Sequence, residues 1–97
     1  MSPLRRELDS LFAEYRSALP DKLARFDALL AAGRTAELGR ELHTLGGSAG
    51  TFGLPKLGEA ARAAEAHLAA CGNMLDPGQR AELDRLLAIV RHEACTA

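Results

Sequence analysis

Three interruptions set what this chain can fold into. Gly33, the run Gly53-Leu54-Pro55, and the stretch from Gly72 to Asp76-Pro77 divide it into four segments. Each segment carries apolar residues at three- and four-residue spacing. Glycine accepts the backbone conformation that closes a helix, and proline suits a first helical turn, so segments bounded this way are predicted as helices. The first begins at Pro3, with Ser2 as a candidate N-cap, and carries Leu4, Leu8, Leu11, Phe12, Tyr15 and Leu19 as one stripe. Pro20-Asp21 interrupts it, and Leu23, Phe26, Leu29 and Leu30 resume the pattern up to Gly33. Proline lacks an N–H and crowds the preceding turn. The first helix is therefore expected to be long or broken at Pro20, with two pieces nearly in line preferred.

The second helix is predicted to start near Thr35 as N-cap, with Leu38, Leu42, Leu45, Ala49 and Phe52 facing inward. The third opens at Pro55, carries Leu57, Ala60, Ala61, Ala64 and Leu68, and stops at Cys71-Gly72-Asn73. Asp76 is a good N-cap for the fourth, with Pro77 at its first position. That helix is expected to reach about Glu93 through Leu83, Leu86, Leu87, Ile89 and Val90, and Cys95-Thr96-Ala97 to fray.

The composition agrees with helices. Apolar residues make up 47% of the chain but aromatics only 4%, with no Trp, so the core is built from Leu and Ala. Val, Ile and Thr, the usual strand formers, are scarce. Ninety-seven residues suit one core rather than two. The expectation is an all-α fold: an antiparallel up-down four-helix bundle forming a single domain over residues 1–97.

Charge and hydropathy exclude several functions. Twelve Lys and Arg against thirteen Asp and Glu are interspersed, so no basic face invites nucleic acid or an anionic membrane. No stretch approaches the ~20 apolar residues of a membrane span, and Met1-Ser2-Pro3-Leu4-Arg5-Arg6 has no apolar signal core after it. Cys71 and Cys95 form neither a CxxC motif nor a disulfide framework, which fits a reducing compartment. A cytoplasmic monomer is expected.

One stretch departs from ordinary helix composition: Leu42-His43-Thr44-Leu45-Gly46-Gly47-Ser48-Ala49-Gly50-Thr51-Phe52-Gly53. Glycine costs roughly 1 kcal/mol relative to Ala inside a helix. Its repetition here indicates that absent side chains matter. Positions three and four away share a helix face, so His43 has Gly39 and Arg40 on one side and Gly46 and Gly47 on the other, with Gly50 two turns along. His43 follows Leu42 at the border of the apolar stripe and should face outward. Gly46 and Gly50 are expected to lie off that stripe, so the glycines clear a space in which a partner can reach the imidazole. Neutral imidazole is a good nucleophile near pH 7 when a hydrogen bond fixes its tautomer. No phosphate-binding glycine loop with its lysine is present, so a phosphoryl donor must come from outside.

The stretch resembles the signature of histidine-containing phosphotransfer (HPt) domains, the carriers of multistep phosphorelays. That pattern is a histidine, any residue, an aliphatic residue, lysine, glycine, any residue, a small residue, and later a second glycine. His43, Leu45, Gly47, Ala49 and Gly53 match it, and Leu38-Gly39-Arg40, Leu57, Ala60, Ala61, Ala64 and Glu65 resemble the flanking helices. The resemblance implies a four-helix bundle that exchanges phosphoryl groups between His43 and the aspartate of a response-regulator receiver domain. It also implies a receiver or hybrid sensor kinase as partner, no autonomous kinase activity, no cofactor on this chain, and Mg²⁺ supplied by the receiver. One position departs from the pattern: Gly46 stands where the family commonly has lysine. Arg40, one turn before His43, is the expected electrostatic substitute, whereas Lys56 lies beyond Pro55 on a different face.

Two other readings compete. A degenerate bundle could dock a receiver or kinase without accepting phosphate, as the missing lysine allows. A metal-binding bundle would need His43, His67 and His92 with carboxylates, but the Glu-x-x-His spacing of such sites is not met.

Overall fold

The computed structural model describes residues 3–72 and 74–97, so the expectations for Ser2 and Asn73 lie outside the described residues. Four helices follow in order: α1 (Pro3–Ala31), α2 (Thr35–Ala49), α3 (Pro55–Cys71) and α4 (Pro77–Cys95). Each packs on its chain neighbour, and α4 closes the ring against α1, giving an up-down four-helix bundle.

The breakers close the helices, although α2 ends at Ala49 and leaves Phe52 in the turn before Gly53 rather than on the helix. Gly33 and Gly53 both adopt positive φ, at 72° and 80°. At the first, Arg34 N donates to Leu29 O at 2.9 Å and Gly33 N to Leu30 O at 3.0 Å. At the second, Leu54 N reaches Ala49 O at 2.8 Å and Gly53 N reaches Gly50 O at 3.2 Å. Both are Schellman closures, which satisfy helix-end carbonyls through a left-handed residue. Asp76 caps α4 reciprocally: its Oδ1 accepts from Gln79 N at 2.7 Å, and Gln79 Oε1 accepts from Asp76 N at 2.9 Å.

Three further expectations are corrected. Helix α1 is continuous through Pro20 rather than two pieces. Pro20 is exposed, while Leu19 and Leu23 on either side of it are buried, so core packing holds the helix across the missing hydrogen bond. Thr35 is the first residue of α2, not its cap: Arg34 holds the N-cap position without a side-chain cap bond. The junction is too short for a separate cap, since Arg34 N closes α1 while Arg34 O already accepts from Leu38 N at 3.1 Å. Finally, α4 keeps its helix to Cys95.

The core is Leu and Ala. Leu38, Leu42 and Ala49 of α2, Ala61 and Ala64 of α3, and Leu83 and Val90 of α4 have no exposed surface. Among the described residues no polar side chain is buried with them. The α1 stripe, by contrast, is buried only from Leu19 onward, and Leu4, Leu8 and Leu11 are exposed. Its 29 residues outrun the 15 of α2 and 17 of α3, so the N-terminal turns have less to pack against. Where α1 first meets the bundle, Tyr15 stacks on Phe52 at 4.3 Å and Phe12 meets the same ring edge-on at 5.8 Å.

Candidate functional site

His43 lies in the middle of α2 with 78% of its side chain exposed. Its Nδ1 is 2.7 Å from Glu65 Oε2 on α3, and that carboxylate is more covered, at 29%. A carboxylate can only accept, so Nδ1 carries the proton in this pair. The neutral imidazole is then the tautomer whose Nε2 keeps its lone pair. Glu65 thus orients the ring and leaves Nε2 as the nitrogen with the free lone pair.

Small residues on the two helices set the α2–α3 seam that brings these groups together. A Cβ added at Gly58 would stand 3.3 Å from Gly46 O and 3.6 Å from Ala49 Cβ. One turn along, Arg62 Nη1 donates to Gly46 O at 2.7 Å. Another turn along, Glu65 meets His43. As α2 runs 43, 46, 49, α3 therefore runs 65, 62, 58, and the close approach at the glycines fixes the register at the histidine.

The glycines divide. Gly46 is buried, and a Cβ there would come within 2.8 Å of Arg62 Cγ. The expectation that it lies off the apolar stripe is corrected: it stands four residues after Leu42, and the stripe is broad enough to include it. Its missing side chain makes room for α3. Gly47 and Gly50 are exposed, and nothing lies within 4 Å of a Cβ added at either. They leave the surface beside His43 bare.

On its other side His43 borders a groove of about 690 Å³ between α2 and α3, lined in part by Gly39, Arg40, Thr44, Glu65 and Leu68. Arg40 is exposed at its wall and makes no ion pair among the described residues. Thr44 Oγ1 donates back to Arg40 O at 3.1 Å, a local helix bond. Ser48 Oγ meets Tyr15 Oη at 2.7 Å and ties α1 to the same face.

The three histidines are not brought together. His67 Nε2 lies 2.9 Å from Gln79 O and beside Cys71, and no group of three His, Cys, Asp or Glu among the described residues could hold a metal.

Two residues at this site were not singled out by sequence reasoning. Glu65 enters it only as part of a flanking helix, and Arg62 not at all. Both stand next to an alanine of the α3 stripe, Ala64 and Ala61, as His43 stands next to Leu42. Titratable residues bordering small-residue stripes on two successive helices are the signal that would have found them.

Fold and site together describe a four-helix bundle that presents an exposed imidazole paired with a carboxylate of the neighbouring helix. The chain belongs to the Hpt domain family, whose model matches residues 10–93. No curated protein and no solved structure matches it. Membership makes the chain a phosphocarrier module of two-component phosphorelays, in a family that works with receiver domains and kinases. Among the described residues no helix is long and apolar enough to cross a membrane.

Proposed function

We propose that His43 is the phosphoacceptor, taking a phosphoryl group from the aspartyl phosphate of a receiver domain and returning it to such an aspartate. The single observation that carries this reading is the Nδ1–Glu65 pair on an otherwise open imidazole. The Nε2 lone pair attacks phosphorus as the bond from phosphorus to the aspartate oxygen breaks. The aspartate leaves as a carboxylate with that bond's electrons. No proton need move, because Nδ1–H stays on the ring, which becomes an N-phosphoimidazolium. Its positive charge develops against the Glu65 carboxylate, a fixed anion placed where charge appears.

The bare surface at Gly47 and Gly50 admits the partner, while Arg40 adds positive charge on the groove side. Mg²⁺ comes with the receiver and offsets charge on the phosphoryl oxygens; this chain's part is to present and orient the imidazole. A receiver or a hybrid sensor kinase fits as partner, and the chain needs no kinase activity of its own.

The test is incubation with phosphorylated receivers and detection of acid-labile, base-stable phosphate. Label on the wild type and none on His43→Gln supports the reading. Binding without label in the wild type would overturn it in favour of a docking module.

A further inference from the structure

We infer that Arg62 of α3 is the phosphoryl-binding cation of this site, doing from across the helix seam what a side chain at position 46 cannot. This rests on the carrier reading of His43. The argument begins with packing. Arg62 Nη1 donates to Gly46 O at 2.7 Å, and a Cβ at position 46 would stand 2.8 Å from Arg62 Cγ. The stem of Arg62 therefore lies where a residue at 46 would begin, so the cation can come from α3 only because position 46 is glycine.

The second step is partnership. Glu65, one turn further along α3, turns to His43, and Arg62 makes no ion pair with it or with any other described acid. The acceptor it does have is the Gly46 carbonyl in the last turn of α2, which takes a single N–H from Nη1. A guanidinium has five N–H donors, so most of those on Arg62 remain available to an incoming anion. Helix α3 thus presents to α2 an anion and a cation one turn apart. The anion meets the ring nitrogen that keeps its proton. The cation is held at Gly46, one turn after His43 on α2. Charge-assisted bonds from arginine to phosphate oxygens are the strong kind. Arg40 stands on the opposite, groove side.

The test uses potassium phosphoramidate as a small donor beside a phosphorylated receiver, so that the chemistry of His43 is read with and without a protein partner. Arg62→Gln keeps the stem that packs on Gly46 but removes the charge, which separates a packing role from an electrostatic one. The expected result is about a tenfold slower phosphorylation by both donors in Arg62→Gln, with an unchanged melting curve. A shifted ³¹P resonance of the phosphohistidine should accompany it. Arg62→Lys should recover part of the rate, and the double variant Gly46→Lys with Arg62→Ala, in which the clash is gone, most of it. Wild-type rates and an unmoved ³¹P signal in Arg62→Gln would overturn the inference and leave the carrier reading standing. Labelling by phosphoramidate that depends on Arg62, with no exchange to any receiver, would support it while the carrier reading fails. No label on the wild type from either donor would overturn both.

Discussion

His43 and Glu65 meet across the α2–α3 seam through Nδ1 and Oε2 at 2.7 Å, an exposed imidazole held by a half-covered carboxylate. That pairing gives the histidine a direction. Replacing Glu65 by Gln keeps an oxygen that can accept from Nδ1–H but removes the negative charge, whereas Ala removes both. Phosphorylation of His43 should slow about 3- to 10-fold in Glu65→Gln and about 10- to 100-fold in Glu65→Ala, magnitudes set by the exposure of the site. Rapid-quench transfer from a phosphorylated receiver measures it. Equal rates in all three proteins would show that the tautomer needs no partner.

The seam that creates the pair depends on glycine, and the two kinds of glycine predict opposite outcomes. A Val at Gly58 must fit where Gly46 O stands 3.3 Å from the first added carbon. Overpacking of this kind costs about 1–3 kcal/mol. Ala at the exposed Gly47 meets nothing and gains helix propensity of up to about 1 kcal/mol. Urea titration should therefore show Gly58→Val below the wild type and Gly47→Ala at or above it. Loss of phosphotransfer in Gly47→Ala with full stability would place Gly47 in partner access.

How much of this could be read in the sequence follows from what each residue signals. Gly33, Pro55 and Asp76-Pro77 announce their ends because a positive φ, a missing N–H and a capping oxygen are local properties. Pro20 misleads for the same reason: its local cost is visible, while the burial of Leu19 and Leu23 that outweighs it is tertiary. His43 stands out by its glycines. Its partner does not, since the seam register joins position 43 to position 65, and that register is set by atoms at Gly46, Ala49 and Gly58 rather than by spacing within one helix. Gly46 shows this most sharply. In sequence it is a missing lysine; in three dimensions it is the space Arg62 fills.

The capping box of α4 makes a separate, local prediction. Asp76→Ala removes the acceptor for Gln79 N and strands an amide in the first turn. The loss should be about 0.5–2 kcal/mol, visible as a lower midpoint in chemical denaturation. Asp76 stands at the start of α4, whereas His43 and Glu65 lie on α2 and α3, so the rate of phosphorylation per folded molecule should not change. A matching fall in both would show that the α3–α4 end communicates with the site.

Two leucines at helical spacing, Leu8 on α1 and Leu42 on α2, should respond differently to the same substitution. Leu8 has the spacing of a core residue yet is 43% exposed, while Leu42 of α2 has the same side chain with none of it exposed. Deleting a buried Leu side chain to Ala costs about 2–5 kcal/mol through lost transfer energy and the cavity left behind. An exposed Leu contributes within about 0.5 kcal/mol. Leu42→Ala should thus lower the unfolding free energy severely and Leu8→Ala scarcely at all, with wild-type helicity by circular dichroism in the latter. Because Phe12 and Tyr15 anchor α1 on Phe52 just after Leu4, Leu8 and Leu11, the projecting turns are tethered to the bundle without stabilising it. A fall of more than about 2 kcal/mol in Leu8→Ala would mean that these turns are covered in solution, since only burial gives a Leu side chain that much to lose.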